Sequence, residues 1–270
     1  MSFIAFCKRN YAFLRLAVAS NLEYRVNFLT DTFLQPILTA LIEIVLWLAI
    51  FSSSGITQMG GFTKEYYMGY YIWAAFITRI TQNWMYEYRM IEEIASGTVN
   101  ALMLRPTSFF EYYFSQYMGY KLLIIFTSLL IPFAASHILD YPVSFSRTMV
   151  ALSLIIYYLL FSYLISFIIA TMAFHLTRVH SFTMAKNLTL FLFTGELIPL
   201  DLIVEPFRSF FLQLPFAAAV YLPVSYITGR IDMATFSHGF YTVTIGNLIL
   251  APIAYVFWIK GKEAYVGTGA

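Results

Sequence analysis

Glu43 and Arg79 stand inside long apolar runs of the chain, where an ionisable side chain is by default a functional candidate. A proton relay would need several acids at successive depths, and the apolar runs supply only Glu43. At ~1.5 Å per helical residue the two side chains differ in depth by roughly 10 Å, so no pair between them is expected. The alternative is structural: each satisfies polar groups within a bundle or snorkels to an interface. Nucleotide chemistry lacks its loop. The nearest candidate, Gly261-Lys262-Glu263, has neither the glycine spacing nor the hydroxyl of a phosphate loop. His137, His175, His180 and His238 show no metal-ligand spacing; His175 and His180, five apart beside Arg178, read as solvated loop residues. There is no Gly-x-Ser-x-Gly elbow and no carboxylate pair deep in one apolar run. Neither catalytic nor metal-binding residues are expected on this chain, and no cofactor.

Two stretches carry more information. In residues 87–110, Ile91, Ile94, Ala95, Val99, Leu102 and Met103 recur at three- and four-residue spacing, which gives a helix one apolar face. Glu92 and Glu93 lie off that face, Gly97 breaks or bends the helix, and Arg105-Pro106 ends it, because a residue before proline avoids the helical region. From pattern alone this is an amphipathic connector at the membrane surface. The second stretch is Gly195-Glu196-Leu197-Ile198-Pro199-Leu200-Asp201, followed by Pro206, Pro215 and Pro223. So many breakers forbid one clean helical crossing. A span followed by a re-entrant hairpin over about 196–222 is expected.

The elements that position these residues follow from composition. Of 270 residues 60% are hydrophobic and 11% charged, against roughly a quarter charged in a soluble domain; mean hydropathy is +0.72. Lipid must solvate much of such a chain, which excludes a cytosolic enzyme, a disordered tail and a disulfide-stapled secreted domain. The net charge of +2 points away from nucleic acid. Continuous apolar runs exclude an outer-membrane barrel and give an all-α membrane protein. Six spans are read near 27–51, 66–86, 109–136, 147–174, 184–198 (with the broken continuation) and 238–259. With the N-terminus in the cytoplasm, ten lysines and arginines fall inside (Lys8, Arg9, Arg15, Arg25, Arg89, Arg105, Arg178, Lys186, Lys260, Lys262). Four fall outside (Lys64, Arg147, Arg208, Arg230), so both termini are expected in the cytoplasm. Residues 1–26, with Phe3, Phe6, Tyr11, Phe13, Leu14 and Val18 among Lys8, Arg9 and Arg15, read as an amphipathic helix on the inner surface. A cytosolic extension of the first span is the alternative. Residues 27–270 then form one six-span domain. The span-two aromatics Tyr66, Tyr67, Tyr70, Tyr71, Trp73 and Phe76 fit either lipid contact and the interfacial belt or the walls of an amphipathic cargo's path.

The run Ile94-Ala95-Ser96-Gly97-Thr98-Val99-Asn100-Ala101-Leu102-Met103-Leu104-Arg105-Pro106 resembles the I-x-x-G-x(4)-L-L-x-R-P signature of type-2 ABC exporter permeases. The Gly195–Asp201 stretch with Pro206 and Pro215 resembles the broken fifth span of the same family. The resemblance covers essentially the whole chain. It implies a coupling helix over about 87–105 in which Ile91, Glu92, Glu93, Ile94, Gly97, Leu102, Arg105 and Pro106 meet a separate ATPase, with the N-terminal helix as a second contact. It implies an outer gate built from Gly195, Glu196, Pro199, Asp201, Pro206 and Pro215. It further implies ABC ATPase subunits as partners, holding ATP and Mg, a second permease copy or related permease, and residence in the cytoplasmic (inner) membrane. The expected function is export of an amphipathic or lipid-like substrate. The alternative is a self-contained ion-coupled carrier, channel or membrane enzyme, with Glu43 as its essential group.

Overall fold

The computed structural model describes residues 3–23, 25–105, 107–139, 141 and 143–265, with side chains from Phe6 onward. The described residues are all-α apart from one two-stranded hairpin. The opening helix α1 (Phe3–Glu23) precedes α2 (Arg25–Ser54). Residues Thr30–Leu34 of α2 are wound as a π-helix immediately before Pro36. Proline cannot donate to the carbonyl four residues back, and a widened turn accommodates that loss. Strands β1 (Gln58–Met59) and β2 (Phe62–Thr63) pair antiparallel around Gly60-Gly61. Both glycines have positive φ (56° and 82°), as a tight hairpin requires.

α3 (Lys64–Thr81) is the central post, buried on every side from Gly69 onward. Its aromatics therefore face protein; Tyr67, Tyr70, Tyr71 and Trp73 are fully buried. Five of the six rings that the spacing offered to lipid or to a cargo wall, Tyr67, Tyr70, Tyr71, Trp73 and Phe76, are instead covered by protein, and Tyr66 is half-buried. The expected single span 66–86 is also broken. α3 stops at Gln82, whose backbone is extended, and α4 (Trp84–Ala95) starts again after Asn83. The freed carbonyls are satisfied from neighbouring helices: Lys121 Nζ donates to the carbonyls of Arg79 and Gln82, and Ser162 Oγ to that of Thr81. Such interruptions survive in a membrane only where other side chains take over the backbone groups.

After α5 (Val99–Met103), α6 (Phe109–Ile138) loosens at Leu129, three residues before Pro132. α7 (Phe145–Phe174) follows, its last turn tightened to 3₁₀ geometry. α8 (His180–Phe193) has 14 residues, about 21 Å, and is too short to cross a bilayer core of about 30 Å. The short helices α9 (Phe207–Gln213) and α10 (Tyr221–Ile227) lead into α11 (Met233–Ala264). Asp232 caps α11 by accepting the Thr235 N–H at 2.8 Å. That bond holds the Asp232 carboxyl below its usual range. Among the described residues four helices, α2, α6, α7 and α11, are long and apolar enough to cross a membrane.

α1 runs lengthwise on the first half of α6. Arg9 pairs with Glu111 at 2.5 Å, Ser115 Oγ donates to Asn10 at 2.7 Å, and a Cβ on Gly119 would lie 2.9 Å from the Leu14 carbonyl. The two helices thus ascend together, and the cationic side of α1 faces protein at Arg9 while Phe6, Tyr11, Leu16 and Leu22 remain exposed.

Candidate functional site

A cavity of about 700 Å³ opens between α8 on one side and α3, α4 and α7 on the other. Its walls are mainly apolar, with Trp84, Tyr88 and Tyr158 facing Met184, Leu188 and Phe191. Thr78 of α3 and Asn187 of α8 add polar groups along the helices, and the others lie where helices break. Thr81 and Gln82 sit at the α3–α4 interruption, and Thr194 and Glu196 at the end of α8. Glu196 is only 9% exposed and also lines a second cavity of about 60 Å³ toward α2, with Gln35, Thr39 and Arg79. An apolar chamber with a few convergent polar groups is the usual form of a small-molecule site.

Beyond Glu196 the chain makes a closed excursion. It leaves α8 at Thr194 and returns at Tyr221, whose N–H donates to the Thr194 carbonyl at 2.9 Å. Gly195 has φ +82°, and a Cβ there would lie 2.8 Å from Cβ of Tyr221, so glycine is required twice over. Tyrosines of α3 pin the start of the excursion: Tyr70 donates to the Gly195 carbonyl at 2.7 Å and Tyr71 to that of Leu197 at 2.9 Å. Buried Pro199 leads into a 3₁₀ turn at Leu200–Leu202 that seats Asp201. The Asp201 carboxylate meets Arg208 at 3.1 Å and Arg230 at 2.8 Å, and accepts the Tyr221 hydroxyl at 2.7 Å. The Arg230 guanidinium in turn lies over the Phe62 ring of the hairpin, 2.9 Å from its centroid. Pro206 is exposed at the start of α9, and Pro215 opens a half-buried 3₁₀ turn. One carboxylate thus ties the hairpin, the excursion and the α10–α11 link together.

At the opposite end, α4 buries Ile91 and Ile94 and α5 buries Val99 and Leu102, the face expected from spacing. Ala95, at the last turn of α4, is exposed instead. Gly97, at φ +78°, makes the left-handed turn that ends α4. The Thr98 hydroxyl donates to the Glu93 carbonyl there at 3.2 Å. Glu93 pairs with Arg89 at 3.0 Å, Glu92 projects outward, and Arg105 and Leu104 are exposed at the tip, Leu104 by 88%. Arg89, Glu92, Glu93, Ser96 and Thr98 rim a shallow depression. Pro106 lies outside the described residues.

The two intramembrane charges part company, as their depths require. Arg79 donates to the Asp31 carbonyl and pairs with its carboxylate, both at 2.8 Å, and reaches the Tyr120 hydroxyl at 2.8 Å. Glu43 is half-buried, and its Oε2 has no hydrogen-bond partner among the described residues. His175 is exposed, and His180 stacks on Tyr88 with centroids 4.6 Å apart. Sequence reading missed Asp31, although the depth arithmetic that separates Glu43 from Arg79 puts Asp31 level with Arg79. It also missed the capping role of Lys121 and a buried ion pair between Glu87 of α4 and Lys186 of α8. Charges of opposite sign near the same end of neighbouring spans were the available signal.

Residues 37–269 match the family model described as ABC-2 family transporter protein. No curated protein matches the chain.

Proposed function

The chain belongs to the ABC-2 family of transporter proteins and is a multi-pass membrane permease of an ABC transporter; from that premise we propose that it is the transmembrane subunit of an exporter driven by a separate ATPase. The observation that carries this reading is the groove beside α8. It is an apolar chamber with a few polar groups, placed between a pinned outer excursion and an amphipathic segment at the other end. Such a chamber suits an amphipathic or lipid-like cargo, whose apolar body would lie along Trp84, Leu188 and Phe191 and whose polar end would reach Gln82 and Glu196.

In this reading six segments traverse the bilayer: α2, α3 continued by α4, α6, α7, α8 continued by the 195–222 excursion, and α11. Residues 195–222 re-enter from the outer side and cap the groove. The N-terminus, the α4–α5 segment and the C-terminus face the cytoplasm of the inner membrane. Two ATPase subunits holding ATP and Mg dock on Glu92, Glu93, Leu104 and Arg105, and the permease pairs with a second copy or a related permease. ATP-driven closure of the ATPases moves α4–α5 as levers, and the spans carried on them rock between inward- and outward-open states. The chain itself then catalyses nothing; it supplies the conduit and the lever.

Affinity purification of the tagged chain from its source membrane tests this reading. An ABC ATPase is expected to co-purify, and Glu93→Arg combined with Gly97→Pro is expected to leave hydrolysis uncoupled from transport of a fluorescent amphiphile in proteoliposomes. Transport by the purified chain with no nucleotide-binding partner would overturn it.

A further inference from the structure

α8 is fastened to the rest of the fold at its outer end and along its first half as far as Lys186, and its second half stands clear between those fastenings. At its outer end, the Thr194 carbonyl accepts the Tyr221 N–H. Most of the second half, from Asn187 to Leu192, is exposed, and the groove separates it from α3 and α4. At its first residue and at its midpoint two contacts reach α4 through adjacent residues of that helix. Lys186, the one amine on α8, pairs with Glu87, and His180 stacks on Tyr88. The Glu87 side chain is 0% exposed and that of Lys186 8%. The Ser166 hydroxyl of α7 stands 3.3 Å from the same Lys186 amine.

A buried ion pair is weak support for stability, because an apolar pair of similar size packs as well or better; its attested use is to fix which elements meet and in what register. Here it joins the helix that precedes Gly97 to the free wall of the groove. Tyr88 and Met184, which flank the pair, also line the groove's inner end. We propose that the Glu87–Lys186 pair, with the Tyr88–His180 stack beside it, is the link through which displacement of α4 is carried into α8 to open and close the inner end of the groove. The proposal rests on the transporter reading above for the force applied to α4. Glu87 and Lys186 act in it as positioning residues, since neither needs to touch cargo. The link transmits because separating it would leave a carboxylate and an amine uncompensated in the interior.

The test uses the full chain with its co-purified ATPase in nanodiscs, in a Cys7→Ser background that removes the single cysteine. An environment-sensitive fluorophore is attached at Ser181 of α8 or, in a separate sample, at Ser96 after α4; both positions are exposed. The probe ligand is a non-hydrolysable ATP analogue. With the native pair, both labels are expected to respond. Glu87→Gln with Lys186→Met removes both charges, so that neither is stranded, and is expected to cut the Ser181 response at least about fivefold while Ser96 still responds. The exchange Glu87→Lys with Lys186→Glu is expected to restore it. An undiminished Ser181 response in the neutral double variant, or a silent Ser181 beside a responsive Ser96 in the native pair, overturns the link and leaves the transporter reading standing. No response at either label with the native pair overturns both.

Discussion

Asp201→Asn removes the charge on which three separate segments converge. The Asp201 side chain is 1% exposed, whereas those of Arg230 and Arg208 are 14% and 34% exposed. Breaking a buried ion pair from one side costs about 3–5 kcal/mol, because the surviving charge is left uncompensated. Two guanidinium groups are stranded here, but Arg208 already reaches water and its share must be discounted for screening. Asparagine also keeps an acceptor for the Tyr221 hydroxyl. The net expectation is about 3 kcal/mol, the lower end of that range. For a chain of this size each kcal/mol moves Tm by about 2–4 °C, so Asp201→Asn is expected to lower it by roughly 6–12 °C. The assay is thermal unfolding of the detergent-solubilised chain, run beside Arg230→Gln and Arg208→Gln. Each of those leaves Asp201 one arginine and the Tyr221 hydroxyl, so both should cost less, Arg208→Gln least. If Asp201→Asn unfolds within a degree of the parent, or Arg208→Gln proves as damaging, the carboxylate is not the hub and the reasoning fails.

Gly97→Ala forces a left-handed turn on a residue with a Cβ at about 1–2 kcal/mol, and should weaken ATPase capture measurably, with Gly97→Asn milder. Tyr70→Phe deletes the 2.7 Å bond to the Gly195 carbonyl and leaves that acceptor buried, costing about 1–3 kcal/mol in the same unfolding assay. A parent-like Tm for Tyr70→Phe would mean that water takes the hydroxyl's place. Glu43→Gln is expected to leave transport intact; abolished transport in a normally assembled complex would favour the ion-coupled alternative instead.

Long apolar runs were legible because lipid imposes one rule on every residue of a span. The expected spans 27–51, 109–136, 147–174 and 238–259 each fall within an observed helix, short by a few residues at most ends. The face made by Ile91, Ile94, Val99 and Leu102, and the turn at Gly97, were legible for a similar reason, since both are local. The break at Gln82-Asn83 was not. Neither residue is a helix breaker, and what stabilises the interruption is Lys121, some forty residues away. The burial of the α3 aromatics was equally hidden, because Tyr and Trp suit an interfacial belt and a protein interior alike, and only the neighbours decide. Lys121 and Asp31 found their partners through tertiary packing, which no spacing within one helix encodes.

The docking of α1 on α6 has a consequence for the order of assembly. Arg9 and Glu111 are 102 residues apart in sequence. At about 5–20 residues per second of synthesis, α1 leaves the ribosome roughly 5–20 s before the helix it will pack against. During that interval the side chains that α6 will cover, Phe13 and Ala17 among them, lack their partner, and an amphipathic segment in that state is expected to rest on the bilayer surface. On that expectation, a helix adsorbed at the lipid interface precedes the helix docked along α6. A nascent chain halted before Phe109 should hold α1 in the adsorbed state.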